Sequence, residues 1–223
     1  MKPGGNRVRV KICCIADPDE ARMAIGYGAD AIGLVGKMPG GPGVIDDPKI
    51  MEIAAGVPPP VATFLLTSEI TADGIVSHYM RTRTSTIQIV DYVADAEYLK
   101  IRKHLPWVKL VQVVHVEDES AVERALRTEK YVDCILLDSG SPNGSTKILG
   151  GTGKTHDWRI SREIVERLDK PVFLAGGINP ENVADAIDAV HPFAIDMCSG
   201  VRTDGRLDGK KLRRIFDCPK IRG

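Results

Sequence analysis

The chain has 223 residues, 30 basic side chains balanced by 30 acidic ones, and a composition that is 43% hydrophobic and 27% charged. That length suits one domain with a substantial core, and that composition excludes a disordered or fibrous chain. Zero formal charge argues against binding to long nucleic acids, which needs a basic face, but not against a local anion site built from backbone N–H groups.

Taken in chain order, Val8–Ile12 reads as the first strand and Asp19–Tyr27 as the helix after it. Ala31–Val35 then precedes a helix at Pro48–Ala55, Val61–Leu66 one at Ala72–Met80, and Thr86–Val90 one at Ala94–His104. The second half repeats the scheme. Val108–Val114 is followed by Glu119–Arg127, Cys134–Asp138 by Ser161–Leu168, Val172–Ala175 by Pro180–Val190, and Ala194–Met197 by Gly209–Phe216. In the seventh helix Val183, Ala184, Ile187 and Val190 share a face, and Asn179-Pro180 sets a capping side chain ahead of a proline at the first helical position. Short apolar strands without alternation, each bounded by a helix, predict a parallel sheet buried on both faces. Eight units in 223 residues average about 28 residues each, near the compact limit of a (β/α)8 TIM barrel. A doubly wound open sheet is the rival, but it uses fewer strands and a glycine fingerprint in its first turn, where this chain has Cys13-Cys14-Ile15-Ala16-Asp17. No Pro/Gly/Ser-rich linker divides the chain, so one barrel domain over residues 1–223 is expected.

No apolar run approaches a membrane span, and the N-terminus lacks the apolar core of a secretory signal, so no membrane partner and a cytoplasmic location are expected. The five cysteines then read as reduced thiols, with the neighbours Cys13 and Cys14 too close in sequence to bridge each other without strain.

In a barrel the chemistry sits at the C-terminal ends of the strands. Those ends carry Cys13 after strand 1 and Asp138 at the end of strand 6. Glycine-rich loops follow at Gly150–Thr155, at Gly176-Gly177-Ile178-Asn179 and at Ser199-Gly200-Val201. Glycine loops that open helices expose backbone N–H groups, and barrels commonly hold phosphate after strands 7 and 8, so a small phosphorylated substrate is the expected partner. Tight turns alone are the plainer explanation of the same glycines. The Gly150–Thr155 run lacks the spacing of a nucleotide-triphosphate loop.

Five segments resemble the phosphoribosylanthranilate isomerases of tryptophan biosynthesis. Val10-Lys11-Ile12-Cys13 is similar to their opening V-K-I-C-G-I, and Leu136-Leu137-Asp138-Ser139 to their L-L-D-[ST]. Gly150–Trp158 (GGTGKTHDW) is close to G-G-T-G-K-T-F-D-W, Leu174–Asn182 (LAGGINPEN) to L-A-G-G-L-N-P-E-N, and Asp196–Val201 (DMCSGV) to D-V-S-S-G-V. The resemblance implies a TIM barrel and an Amadori rearrangement of N-(5′-phosphoribosyl)anthranilate into its 1-deoxyribulose 5-phosphate derivative, with neither metal nor organic cofactor. It implies Cys13 as the general base that removes the C2′ proton and Asp138 as the general acid that opens the furanose. It also implies substrate and phosphate contacts at Gly151, Gly153, Gly176, Gly177, Ser199 and Gly200. For those roles the Cys13 thiol needs a lowered pKa, for which Lys11 is at hand, and Asp138 a raised one.

The sequence departs from that pattern in four places. Cys14 replaces the glycine after the catalytic cysteine. After strand 2 the arginine that holds the anthranilate carboxylate is absent from Lys37-Met38-Pro39-Gly40-Gly41-Pro42-Gly43, which leaves Lys37 as the candidate carboxylate partner. Q-L-H-G after strand 4 reads Gln88-Ile89-Val90-Asp91, without the histidine, and Arg202 replaces an acidic residue. Two further readings therefore stand beside the first: an isomerase of another phosphorylated aminosugar, and a non-catalytic phosphate-ligand-binding barrel. The five histidines show no metal-ligand spacing and read as surface or satisfied residues, Cys134, Cys198 and Cys218 as core or incidental thiols, and Trp107 as packed beneath a loop. Monomer and homodimer both remain open.

Overall fold

The structure is a computed structural model and describes residues 7–140 and 155–222. Eight parallel strands close into a barrel: β1 Arg9–Ile12, β2 Ala31–Val35, β3 Ala62–Thr67, β4 Thr86–Ile89, β5 Lys109–His115, β6 Cys134–Asp138, β7 Val172–Leu174 and β8 Ala194–Met197. Closure comes from β1, which pairs with β2 through Lys11 and Ile12 and with β8 over its whole length. The connecting helices are α1 Pro18–Tyr27, α2 Asp47–Ala55, α3 Ala72–Thr82, α4 Asp95–His104, α5 Ser120–Thr128, α6 Trp158–Arg167, α7 Val183–Val190 and α8 Gly209–Phe216.

Local chemistry sets the ends of these helices. Asp17, Asp46, Thr71, Asp157 and Asp208 accept first-turn N–H groups of α1, α2, α3, α6 and α8, which would otherwise lack acceptors. Helix α7 begins at Val183 and not at Pro180. Asn179 Oδ1 accepts the N–H of Glu181 and of Asn182, so the predicted cap closes a turn that leads into the helix. Three elements were not predicted: a single 3-10 turn at Ser199–Val201, a short hairpin of β9 Arg202–Thr203 with β10 Arg206–Leu207, and a final turn of helix, α9 Pro219–Arg222. They are too short to carry a periodic signal.

The strands divide their side chains between two apolar clusters. Ile12, Ile32, Leu34, Ile87 and Leu137 face the helices, whereas Val35, Phe64, Val111, Val113, Leu136 and Phe173 fill the barrel. This period of two, buried on both faces, is why the strands read as unbroken apolar runs. It also sends every second residue near a strand's C-terminal end into the barrel mouth. Trp107 is 71% exposed and packs under no loop.

Candidate active site

One cavity opens at the C-terminal mouth. Cys13, Gln88, Asp138 and Asp196 line it from the strand ends, Gly176, Gly177 and Ser199 from the loops after β7 and β8, and Met38 and Gly40 to Pro42 from the loop after β2. The two residues expected to carry the chemistry, Cys13 and Asp138, thus reach one space from β1 and β6, with β7 and β8 between them.

Its floor is charged. Lys11 is fully buried and donates to Asp196 Oδ2 at 2.8 Å, while Asp196 Oδ1 is buried without a partner. Cys13 Sγ and Lys11 Nζ converge beside Gly33, where an added Cβ would lie 2.7 Å from the sulfur and 3.0 Å from the nitrogen. Glycine at position 33 is what leaves room for both. The expectation of a lowered Cys13 pKa is overturned. Burial pushes the thiol up to about 11, more than Lys11 pulls it down, because Lys11 is already neutralised by Asp196, which itself raises the thiol further.

The Asp138 pKa lies in the expected direction. Removal from bulk water raises its pKa, against a lowering from the Ser139 N–H that donates to Oδ1 at 2.7 Å and from His115. His115 is neither at the surface nor satisfied. It lies opposite Asp138 in the β5–β6 register with its ring buried, Nε2 bonded to the Val90 carbonyl and Nδ1 without a partner. His78 is also buried, held between Thr67 Oγ1 at 2.8 Å and Asp47 Oδ1 at 3.0 Å beneath the loop after β2. Nothing in the spacing of the histidines announced either position.

The glycine loops are built for close approach. Gly176 and Gly177 are both left-handed, with φ of 82° and 66°, a conformation that costs other residues about 1–2 kcal/mol. Gly200 packs against the preceding loop so tightly that a Cβ there would lie 2.0 Å from the Ile178 carbonyl oxygen. Gly177, Ser199 and Gly200 thereby belong to one rim. Gly151 and Gly153 lie outside the described residues.

Cys14 and Cys198 form a disulfide with Cα atoms 5.8 Å apart, which corrects the reading of all five cysteines as free thiols. They are 184 residues apart in sequence, yet follow strands that are neighbours only because the barrel closes. Cys14 adopts φ of 63°, the conformation for which glycine is the usual residue, and Gly43 leaves space for its side chain. Arg202 joins the same tie, pairing with Glu20 at 2.8 Å and donating to the Cys14 carbonyl. Lys37, in contrast, is exposed and lines an adjoining groove with Asp46, Asp47 and Arg81, outside the main cavity. No lysine or arginine lines the main cavity among the described residues.

A sequence profile described as N-(5′phosphoribosyl)anthranilate (PRA) isomerase matches residues 48–218. The chain belongs to that family. It is 37% identical to the N-(5′-phosphoribosyl)anthranilate isomerase of Methanocella arvoryzae over 93% of this chain and 95% of that one. Among solved structures it is similar to the phosphoribosyl anthranilate isomerase of Thermotoga maritima, with a TM-score of 0.82 and 30% identity over 97% of this chain and 99% of that one. A further isomerase structure holds reduced 1-(o-carboxyphenylamino)-1-deoxyribulose 5-phosphate and aligns with a TM-score of 0.79 and 28% identity, over 97% and 99% of the two chains. The protein is therefore an isomerase of the PRA isomerase family on a (β/α)8 barrel. Among the described residues no helix is long and apolar enough to cross a membrane.

Proposed function

We propose that this enzyme performs the Amadori rearrangement of N-(5′-phosphoribosyl)anthranilate within tryptophan biosynthesis in the cytoplasm, with Asp138 as general acid and Cys13 as general base. The observation that carries this reading is the shared cavity, where both residues stand below glycine loops in a family whose relative holds a ribulose phosphate analogue. The phosphate rests against Gly176, Gly177, Ser199 and Gly200, with Gly151 and Gly153 contributed by the loop after β6. Asp138 protonates the furanose ring oxygen as the C1′–O bond breaks, which leaves a cationic iminium at C1′. That cation acidifies the C2′ proton and, as an opposite charge near Cys13, favours the thiolate that removes it. Burial keeps the resting thiol protonated, and once the substrate supplies the charge the Sγ proton leaves to solvent, so that the thiolate can take up the C2′ proton. Asp196 Oδ1, buried and unpartnered on the cavity wall, accepts a substrate hydroxyl in this reading.

Substrate generated in situ from anthranilate and phosphoribosyl pyrophosphate tests the assignment, since its fluorescence is lost on rearrangement. Loss proportional to enzyme is expected, and no loss at high enzyme concentration contradicts it. One observation favours a second reading, an isomerase of a different phosphorylated aminosugar: no basic side chain among the described cavity residues faces an aglycone carboxylate. Tight binding of bare ribulose 5-phosphate, unimproved by the anthranilate moiety, would favour that substrate.

A further inference from the structure

Side chains alternate along β1, so Arg9 and Lys11 share the barrel-interior face with Cys13, while Val10 and Ile12 face the helices. Arg9 marks the end opposite the mouth, where the strands begin. Around it the neighbouring strands bring only alanines to that layer: Ala194 from β8, Ala31 from β2 and Ala62 from β3. Layers inside such a barrel are ordinarily packed by bulky branched residues, and alanines in their place leave a hollow. The hollow measures about 160 Å³. Phe64, Phe173 and Phe193 line it, their ring centroids 5.9 Å apart in succession. An apolar cavity of about 150 Å³ stays dry and admits a benzene ring.

The opening of this hollow is basic. Arg9 is exposed, lays its guanidinium over the Phe193 ring at 4.3 Å and makes no ion pair with a described residue. Lys170, likewise exposed and without an ion pair among the described residues, lines an adjoining groove of about 200 Å³ that shares Arg9 and Phe193 with the hollow. The carboxylate at the hollow, Asp30, is already taken: its Oδ2 accepts from Arg7 at 3.0 Å and from the Val10 N–H at 2.9 Å. We propose that this end of the barrel binds a small aromatic carboxylate, with its ring among Phe64, Phe173 and Phe193 and its carboxylate on Arg9. A guanidinium can hold a carboxylate through two parallel N–H donations while its face stays stacked on an aromatic ring. A bare inorganic anion would leave the apolar hollow empty, and a neutral aromatic would leave Arg9 without its counter-charge. The site shares no lining residue with the cavity at the mouth. Lys11 connects the two, since it lines the hollow and donates to Asp196 on the wall of that cavity.

Titration of the full chain with 4-fluorobenzoate, followed by fluorine NMR in the presence of saturating reduced 1-(o-carboxyphenylamino)-1-deoxyribulose 5-phosphate, tests this. Saturable binding to one site is expected. Fluorobenzene and inorganic phosphate, each keeping one half of the recognition, should bind at least about 10-fold more weakly, the worth of one hydrogen bond to a charged group. Arg9→Gln, a change at an exposed side chain, should weaken 4-fluorobenzoate by a similar factor of about 10. Ala62→Leu, which fills the hollow from its partly buried edge, should abolish saturable binding. No saturable binding to the wild-type protein overturns the proposal, as does binding that both variants leave unchanged. Binding lost in Arg9→Gln but kept in a folded Ala62→Leu reports a surface anion contact and overturns it as well. If Ala62→Leu fails to fold, Arg9→Gln and the comparison with fluorobenzene decide. Both substitutions lie outside the cavity at the mouth, so the outcome is independent of the substrate proposed for that cavity.

Discussion

The two sides of the barrel mouth are made of different material. From β6 through β7 and β8 to β1, the cavity wall is strand ends and backbone: Asp138, the left-handed Gly176 and Gly177, Ser199, and Asp196, with Gly200 packed behind the rim and Lys11 buried beneath, paired with Asp196. Across the mouth, from β2 to β4, it is a loop of glycines and prolines around Met38, with Gln88 and Val90 below. The first side places atoms to within a hydrogen bond because sheet register and the disulfide leave it little freedom. The second can change its residues without disturbing the barrel, and it carries the missing arginine after β2 and the missing histidine after β4, whereas the two departures on the first side, Cys14 and Arg202, tie β1 to β8. In the proposed reading the barrel separates its chemistry from its choice of aglycone in this way: reacting groups belong to strand ends, selectivity to a loop.

The largest effect that would sharpen this contrast is at Asp138. Asp138→Asn should lower turnover roughly 10²–10⁴-fold, with melting temperature and analogue affinity nearly unchanged. The pH profile carries the sign. Asp138 is lost as an acid when pH rises through its raised pKa, while the base form of Cys13 grows until about pH 11. Between those values the losses and gains cancel, so the wild-type rate should be flat, with its upper limb near 11. Asp138→Asn should replace that plateau by a rate that climbs with pH towards the same limb. Equal loss of affinity, stability and rate would instead make Asp138 a structural carboxylate.

At the glycine rim proposed to hold the phosphate, Gly177→Val should raise KM by roughly 10–100-fold, the loss expected when one or two charge-assisted backbone contacts are blocked. Steady-state kinetics with an added melting curve separates this from the strain of a side chain at φ 66°. Gly200→Val is the less clean version, because its side chain meets the Ile178 carbonyl and disturbs the packing of the two loops. Reducing the Cys14–Cys198 disulfide should lower Tm by roughly 5–15 °C, from the about 2–4 kcal/mol that closing a long loop contributes. Calorimetry with and without reductant reads it. The smallest effect belongs to the other side of the mouth. Lys37→Ala should leave KM within about twofold, as suits an exposed side chain outside the cavity, and a tenfold rise would return Lys37 to the aglycone carboxylate.

Most of the fold was legible because strand and helix periods differ and every unit here is long enough to show one. Gly209–Phe216 and Cys134–Asp138 were read to the residue, whereas the β9–β10 hairpin, two residues a side, was invisible. Cys13 and Asp138 were legible from their places at strand ends and from the motifs around them. What stayed hidden depends on loop path and register. A predicted barrel already sets β1 beside β8 and β5 beside β6, but the meeting of Cys14 with Cys198 and the burial of His115 opposite Asp138 are stated by no spacing in the sequence. Arg202 shows the same limit: it looked like the loss of an acidic residue, and its partner Glu20 is on a helix 182 residues away. The Cys13 pKa was misjudged for a related reason. Lys11 is two residues off in sequence, but its charge is spent on Asp196.

The division of labour at the mouth stands on Cys13 being the base. Replacing it with serine leaves the cavity's shape intact and substitutes a far poorer proton acceptor, and Cys14, tied to Cys198, offers no second thiol. kcat of Cys13→Ser, measured beside its affinity for reduced 1-(o-carboxyphenylamino)-1-deoxyribulose 5-phosphate on one preparation, should fall by at least about 10²-fold while that affinity stays within about threefold. Turnover near the wild-type rate would take the base away from β1 and contradict the account.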